Sequence, residues 1–190
     1  MKRFYLFGVA ALAGALLLAS PAYADEASIY APYSSFEELY DAYESAVASG
    51  DKEKQEQILE IGESSLKREI ASSEEQAGLS SGFRVNTDEQ YWKAQFPKYF
   101  NYGTWKSDGR GPNLALGPKN KGVWSESDKA NGWNATYTMF RNSPQWNNRN
   151  VQVMKEQFYC HARLGYSTFA GEWNLEPWRT AMNPVTCNDI

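Results

Sequence analysis

The sequence predicts an α+β protein. An acidic helical hairpin precedes a small C-terminal domain with a short antiparallel sheet and one or two helices, closed by a disulfide. Three observations support this prediction. Apolar residues recur at helical spacing between residues 35 and 75, strand-forming residues flank a glycine-rich turn between residues 99 and 118, and the chain contains two cysteines, Cys160 and Cys187.

The hairpin is predicted from two capped helices. Ser35-Phe36-Glu37-Glu38 has the form of a capping box, which starts the first helix, and Ser49-Gly50 ends it. Asp51 can cap the second helix, which fades around Ser72–Glu75. Each helix carries one apolar face: Phe36, Leu39, Tyr40, Tyr43 and Val47 on the first, and Ile58, Leu59, Ile61, Leu66 and Ile70 on the second. We assign residues 25–77 to the hairpin and residues 78–82, which hold two Gly and two Ser, to a linker.

The first 24 residues have the pattern of a signal peptide. Two cations, Lys2 and Arg3, precede an uncharged apolar stretch, and Ala22-Tyr23-Ala24 places small residues where a signal peptidase requires them. A membrane anchor would need about 20 apolar residues, and the apolar core is shorter and is followed by Pro21. We therefore expect cleavage after Ala24, no lipid or membrane anchor in the mature chain, and an extracellular location, with association with the cell envelope left open.

Charge divides the mature chain into two regions. Residues 25–80 contain 14 acidic and four basic residues, a net charge of −10, whereas residues 81–190 contain nine acidic and 13 basic residues, a net charge of +4. All seven tryptophans lie in the second region. The difference predicts two regions with different roles, and the hairpin is either a solvated spacer or a pro-region or partner-binding element that covers the basic domain.

The two cysteines are expected to pair. Export leads to an oxidising compartment, where an even number of cysteines favours a disulfide, and a Cys160–Cys187 bridge would hold down the C-terminal tail. The alternative is two thiols, with Cys160 as a nucleophile beside His161. Neighbouring residues on a helix point about 100° apart, so this pair does not form a catalytic couple by sequence adjacency alone.

The C-terminal domain, residues 83–190, alternates short apolar segments with turns. Tyr99–Trp105 and Asn113–Pro118 predict two strands joined at the turn Asp108–Pro112. Helical spacing appears in the second half of Ser125–Phe140 and again from about Asn150, with Gly165 as a stop signal. The remainder, residues 166–190, is predicted to be loop-like.

Three segments of this domain resemble one family of exported bacterial proteins. They are Met154-Lys155-Glu156-Gln157-Phe158-Tyr159-Cys160-His161, then Trp173-Asn174-Leu175-Glu176-Pro177-Trp178-Arg179, then Thr186-Cys187-Asn188. The family is the domain of unknown function 2599, and the resemblance extends over about residues 99–190, including Trp105 and Leu114–Pro118. Thr180 stands where the family often has proline. The resemblance supports the domain and the disulfide and implies no activity.

The sequence contains only one histidine, which excludes several kinds of chemistry. A histidine-rich zinc site cannot form, and the sequence has neither a Gly-x-Ser-x-Gly elbow nor a glycine-rich phosphate loop. We therefore expect no metal and no cofactor.

His161, Glu176 and Arg179, with Asn174 nearby, are the candidate catalytic residues. A histidine and a carboxylate can transfer protons, and a guanidinium can hold a phosphoryl group, so the trio would suit a small metal-free hydrolase or nuclease-like exported toxin. The structural alternative is that Glu176 and Arg179 pair with each other, while His161 bonds to a backbone carbonyl.

Tryptophan content points to a different class, a binding module. Tryptophan stacks on sugar rings, and seven of them exceed what a small core needs, so Trp173, Asn174 and Trp178 are the candidate ligand-binding residues. The expected partner is a cell-wall glycan or another extracellular polymer, including polyanions. The alternative is that the tryptophans fill the core. An enzyme requires the trio in an open cleft, a binding module requires surface aromatics, and an interaction protein requires an apolar patch on the hairpin.

Overall fold

The computed structural model describes residues 29–78, 89–107, 109–120, 122–164 and 171–187. In this part the protein is α+β with a three-stranded antiparallel sheet and an N-terminal helical region, which confirms the predicted fold class. The predicted signal peptide, its cleavage site at Ala24 and most of the predicted linker lie outside the described residues. No helix within them is long and apolar enough to cross a membrane.

Five α-helices, a short 3-10 helix and three strands make up the described chain. In order they are α1 (Phe36–Ser49), α2 (Lys52–Gln76), α3 (Glu89–Tyr99), β1 (Phe100–Ser107), β2 (Pro112–Pro118), α4 (Glu126–Phe140), the 3-10 helix (Asn148–Asn150), α5 (Val151–Leu164) and β3 (Trp173–Leu175).

Local capping forms the hairpin at the predicted positions. The Ser35 hydroxyl accepts the N–H of Glu38 at 3.2 Å and starts α1, and the Asp51 carboxylate accepts the N–H of Lys54 at 3.0 Å and starts α2. Between the helices, Gly50 has φ +72°, a left-handed conformation that costs glycine little. The Glu38 carboxylate reaches back to the hydroxyl and N–H of Ser34, and these hydrogen bonds lower its pKa.

The sheet has the order β1–β2–β3. Strands β1 and β2 form the predicted hairpin, and β3 pairs antiparallel with the other side of β2, with Leu114 opposite Leu175 and Leu116 opposite Trp173. The prediction of loop structure for residues 166–190 was therefore wrong at 173–175. Three residues are too few to show an alternating pattern, and β3 is stabilised by hydrogen bonds to β2 that sequence alone does not reveal.

Helix α3 is a second element that the sequence patterns did not predict. It buries Trp92 and Phe96, which are four residues apart and therefore lie on one face, and its last turn contains Pro97. Strand β1 begins at Phe100, directly after α3. A Cβ built on Gly103 of β1 would lie 2.4 Å from the Phe140 ring and 2.9 Å from the Phe96 ring, so only glycine lets these helices pack this closely on the sheet.

The hairpin and the C-terminal part of the chain share apolar cores. Leu66 and Ile70 of α2 belong to the same buried cluster as the aromatic residues of the sheet, α4 and α5. Conversely, Val185 from the C-terminal tail is fully buried in the apolar cluster that α1 and α2 form. Apolar packing therefore joins the acidic region to the basic one over a continuous surface.

The Cys160–Cys187 disulfide is present, as predicted. It ties the tail to α5 at the point where the tail inserts between α5 and the hairpin. Next to it, Asn183 accepts the N–H groups of Val185 and Thr186 and donates to the Tyr43 hydroxyl at 2.9 Å, so the tail contacts the hairpin through polar bonds as well.

Buried ion pairs also hold α2 against α4 and α5. The Glu69 carboxylate, 5% exposed, pairs with the Lys129 ammonium of α4 and lies 2.9 Å from Nε of Arg163 on α5, without the alignment of a linear hydrogen bond. Lys129 also contacts Glu126 at 2.8 Å, and Arg163 donates to the Ser65 hydroxyl at 3.4 Å. Two cations thus meet two carboxylates, which compensates for their loss of hydration.

We expect removal of the disulfide to destabilise the protein without changing its fold. Closing a loop with a sequence separation of 27 is worth about 3–4 kcal/mol in the loop-closure model. Urea unfolding of the Cys160→Ala/Cys187→Ala double variant should show a loss of this size. Dithiothreitol should lower wild-type stability by a similar amount and leave the double variant unchanged; an equal effect on both proteins would contradict the prediction.

Glu69→Gln should cost about 3–5 kcal/mol, because it leaves Lys129 and Arg163 with one carboxylate between them in a buried site. The matched control is Glu74→Gln, since Glu74 on the same helix pairs with Lys155 while 38% of its side chain is exposed. That pair should contribute only about 0–1 kcal/mol. Equal losses of unfolding free energy in the two variants would show that the buried network does not hold the hairpin.

Candidate functional site

His161 lies in the core on α5. It is 4% exposed, its ring stacks on the Trp173 indole with centroids 6.0 Å apart and planes inclined by 13°, and it is hydrogen-bonded to the backbone of Asn174. Burial lowers the pKa of His161 to about 4, and the hydrogen bond to Asn174 opposes this only in part. The imidazole is therefore neutral at neutral pH.

Glu176 and Arg179 form a buried ion pair. Nε of Arg179 contacts Oε2 of Glu176, and both residues are 7% exposed. Gln157 of α5 accepts the Glu176 N–H at 2.9 Å and donates to its carboxylate at 3.4 Å. Arg110, from the β1–β2 turn, approaches the same carboxylate at 3.7 Å. These contacts attach the segment after β3 to α5 and to the turn.

Trp178 contacts two guanidinium groups. Arg179 and Arg110 have their guanidinium carbons 4.6 and 5.4 Å from its ring, and a Cβ built on Gly111 would lie 2.5 Å from it. The preceding residue, Pro177, accepts hydrogen bonds from Asn147 and Asn150 at 3.0 and 2.8 Å. Trp178 is half-buried, and the two guanidinium groups already contact its ring.

The predicted catalytic trio is thus distributed over two sets of contacts. Glu176 and Arg179 meet each other, Gln157 and Arg110, whereas His161 contacts Trp173 and the backbone of Asn174. Gln157 and His161 are one turn apart on α5, so both sets pack against the same helix. The catalytic role of the trio stays a prediction.

Most tryptophans are in the core. All seven lie among the described residues, and five are at most 8% exposed: Trp92, Trp124, Trp133, Trp146 and Trp173. Trp105 and Trp178 are half-buried. Trp173 packs against Trp124, Phe158 and Phe100 at centroid distances of 4.9 to 5.7 Å, so of the three candidate ligand residues it is the one with a core position.

Asn174, by contrast, is exposed on the side of the sheet that faces away from the core. Residues opposite each other in register share a face, and Thr104, Ala115 and Asn174 lie in one row across the three strands. Tyr102 and Lys106 occupy the neighbouring positions of β1 on this face. Leu114, Leu116, Trp173 and Leu175 point to the opposite, buried face. We call the exposed side the polar sheet face.

Glu172 organises the polar sheet face. Its carboxylate accepts the Tyr102 hydroxyl at 2.8 Å and the Lys106 ammonium at 2.8 and 2.7 Å. Burial raises the pKa of Glu172, but the hydrogen bonds from Lys106 and Tyr102 outweigh burial and lower it overall. The same bonds raise the pKa of Tyr102 and of Lys106. At neutral pH this face presents a carboxylate, an ammonium and a phenol in one hydrogen-bonded group.

Tyr102 lies on the backbone of the neighbouring strand. It is opposite Gly117, and a Cβ built there would lie 2.3 Å from its ring, so glycine is required for the ring to rest on β2. Tyr102 as a whole is nevertheless 43% exposed. One side of an aromatic ring is therefore supported by the sheet, its hydroxyl is held by Glu172, and the rest is accessible.

Of the residues on the polar sheet face, Asn174 is a candidate named from the sequence, whereas Tyr102, Lys106 and Glu172 are not. The alternation of Tyr102, Thr104 and Lys106 in a predicted strand was a signal that these side chains share a face. Glu172 is 66 residues from Lys106 and no local pattern links them. Among the described residues, no three His, Cys, Asp or Glu side chains are grouped closely enough to hold a metal ion.

Fold and contacts define the C-terminal part of the chain as a small disulfide-closed α+β domain that presents a polar sheet face. Residues 100–189 match the model of a family described as Protein of unknown function (DUF2599). This confirms the resemblance of the C-terminal segments to that family, and the match includes the sheet, α4, α5 and both cysteines, whereas α1, α2 and α3 precede it. Comparisons with curated proteins and with solved structures gave no match.

The pKa of His161 predicts acid sensitivity. An unfolded histidine has its ordinary pKa of 6.5 and the folded one a pKa of about 4, so between these values the unfolded chain binds the extra proton. Stability is therefore full above pH 6.5 and falls as the pH decreases, by about 2 kcal/mol at pH 5. In His161→Gln this part of the pH dependence should vanish, as measured by urea unfolding at pH 7.5 and pH 5. An unchanged pH dependence would mean that His161 titrates normally, as a solvent-open catalytic base does.

Proposed function

We propose that the protein is an exported glycan-binding protein and that the polar sheet face is its binding site. The observation that carries the proposal is the accessible ring of Tyr102, 43% exposed, backed by Gly117 and held by Glu172. These contacts fix the orientation of the Tyr102 ring in the absence of a ligand, so little conformational entropy is lost on binding.

The side chains of the polar sheet face can make the contacts that a sugar requires. The apolar C–H side of a sugar ring can stack on Tyr102, because an aromatic ring offers a flat apolar surface with a polar edge. Sugar hydroxyls both donate and accept hydrogen bonds. Glu172 supplies acceptors, Lys106 supplies donors and the Asn174 amide supplies both, all on the same side of the sheet.

Shape favours a polymer over a small enclosed ligand. The site is the surface of a sheet and presents side chains from β1, β3 and the residue before β3 in a row, with Thr104 between Tyr102 and Lys106. An extended glycan can lie along such a surface. The expected location outside the cell, with the signal-peptide pattern and the disulfide as its support, places a cell-wall or other extracellular glycan within reach.

A polyanionic ligand has less support than a neutral glycan. The basic excess of residues 81–190 suggested anion binding, but Lys129, Arg163 and Lys155 are paired with Glu69 and Glu74 of α2. On the polar sheet face, Lys106 is paired with Glu172. Glu69 and Glu74 thus offset two of the four excess positive charges, and Lys106 is already matched by a carboxylate of its own region.

The hydrolase hypothesis also has less support. A proton-transferring histidine needs a pKa near the working pH and access to substrate, whereas burial beside Trp173 keeps His161 neutral and enclosed. Burial and pairing of Glu176 and Arg179 favour a structural role for them.

Binding to purified insoluble peptidoglycan, chitin and cellulose tests the proposal. Tyr102→Ala should weaken binding to the polymer about tenfold, which corresponds to a loss of about 1.4 kcal/mol of binding free energy. Tyr102→Phe keeps the ring and should retain most of the binding. Glu172→Gln should weaken binding, because it removes the charge that orients both Tyr102 and Lys106.

Tyr91→Ala is the matched control, since Tyr91 on α3 is 49% exposed and lies outside the sheet. It should bind like the wild type, and thermal melts of all variants should confirm folding. Absence of wild-type binding to every polymer, or equal binding by Tyr102→Ala, would overturn the proposal. Heparin binding that is unchanged in Tyr102→Ala would favour the polyanion hypothesis instead.

A further inference from the structure

A second surface, lined by none of the residues of the polar sheet face, has the properties of a peptide-binding groove. It lies between α2 and the tail segment 180–184 and has a volume of about 360 Å³, which is at the lower end of the range for ligand sites. Its floor is apolar and consists of Leu59 and Leu66 from α2 and Met182 and Pro184 from the tail, with the exposed Ala181 at its edge. We propose that this groove binds a short basic peptide segment of a partner protein through apolar side chains flanked by lysine or arginine.

Charge at the rim defines the partner. Glu60 and Glu63 project from α2 and Glu156 from α5, against one cation, Lys67. Lys67 pairs with Glu63, and the pKa of Lys67 is raised chiefly by that hydrogen bond, with a smaller contribution from Glu156. The rim therefore carries a net charge of about −2 around an apolar floor. A basic partner gains attraction at the rim, and an acidic one is repelled.

The shape of the groove favours a peptide over a compact molecule. Along α2 it extends from Leu59 to Lys67, which is about 12 Å at 1.5 Å per residue. This length accommodates about four residues of extended chain or two turns of helix. The carboxylates of α2 and α5 beside an apolar strip match a segment that combines apolar and basic side chains.

The tail makes the groove a persistent feature. The buried Arg179–Glu176 pair fixes the chain before the groove, and Val185, fully buried against the hairpin, and the disulfide at Cys187 fix it after the groove, so Met182 and Pro184 are held between anchors on both sides. Close packing at Gly62, where a Cβ would lie 2.9 Å from Val185, brings the tail and α2 together at the groove's edge. A preformed groove binds a peptide without first ordering its own walls.

Fluorescence polarisation tests the inference with a short fluorescein-labelled peptide that alternates leucine and lysine. We expect saturable binding that weakens with salt, and no comparable binding of a leucine–glutamate peptide of equal length. Ala181→Trp, which fills the groove from an exposed position, should weaken binding about tenfold or more. Glu60→Gln/Glu156→Gln should weaken it several-fold and reduce the salt dependence.

The matched control is Glu37→Gln/Glu44→Gln, which removes two exposed carboxylates from α1 outside the groove. It should bind the basic peptide like the wild type. Equal weakening in this control would show attraction to the acidic hairpin as a whole and overturn the inference, as would unchanged binding by Ala181→Trp or a lack of preference for the basic peptide.

Tyr102→Ala separates this inference from the proposed function, because Tyr102 lies on the sheet and does not line the groove. It should leave peptide binding unchanged. Loss of peptide binding in this variant would assign the peptide to the polar sheet face and contradict the groove. Thermal melts of each variant separate loss of a contact from loss of folding.

Discussion

Attachment of α2 to the C-terminal domain depends on Glu69. Its carboxylate pairs with Lys129 of α4 and Arg163 of α5 in an environment with little water, where an unpaired charge would strongly destabilise the folded state. Because the buried charges have opposite signs, they compensate for each other's loss of hydration. Leu66 and Ile70 on the same helix can therefore pack into the shared core. The opposite net charges of the two regions thus have a structural counterpart: acidic residues of the hairpin neutralise basic residues of the domain.

The tail from residue 180 to Cys187 is the second contact between the two regions. Its disulfide partner is on α5, Val185 is surrounded by hairpin side chains, and Asn183 bonds Tyr43 of α1. An irregular segment placed in this way is ordered by what it touches, since it has no periodic hydrogen bonds of its own. It also forms one wall of the groove, so the same contacts that stabilise the fold shape a candidate binding surface.

Different parts of the candidate site were predictable to different degrees. Tyr102, Thr104 and Lys106 alternate within a strand that the sequence predicts, so their common face follows from the period of two. Glu172 could not be assigned to them, because its position depends on β3 pairing with β2. The tryptophans were misleading for the opposite reason. Their number is equally compatible with a surface platform and a core, and burial of Trp173 against Trp124 and Phe158 is decided by packing.

The sequence alone determined the helical hairpin with its caps, the β1–β2 hairpin and the disulfide partners, because each depends on local spacing, turn chemistry or the number of cysteines. It also determined the family resemblance of the C-terminal part, which depends on three short segments. Tertiary structure decided the rest. Strand β3, the buried Glu69 network and the burial of His161 depend on partners that are distant in sequence: Leu116 and Trp173 are 57 positions apart, Glu69 and Lys129 are 60 apart, and His161 and Trp173 are 12 apart. Contacts between residues so far apart produce no periodic pattern in the sequence. They form only when the chain folds and brings the charges and rings together.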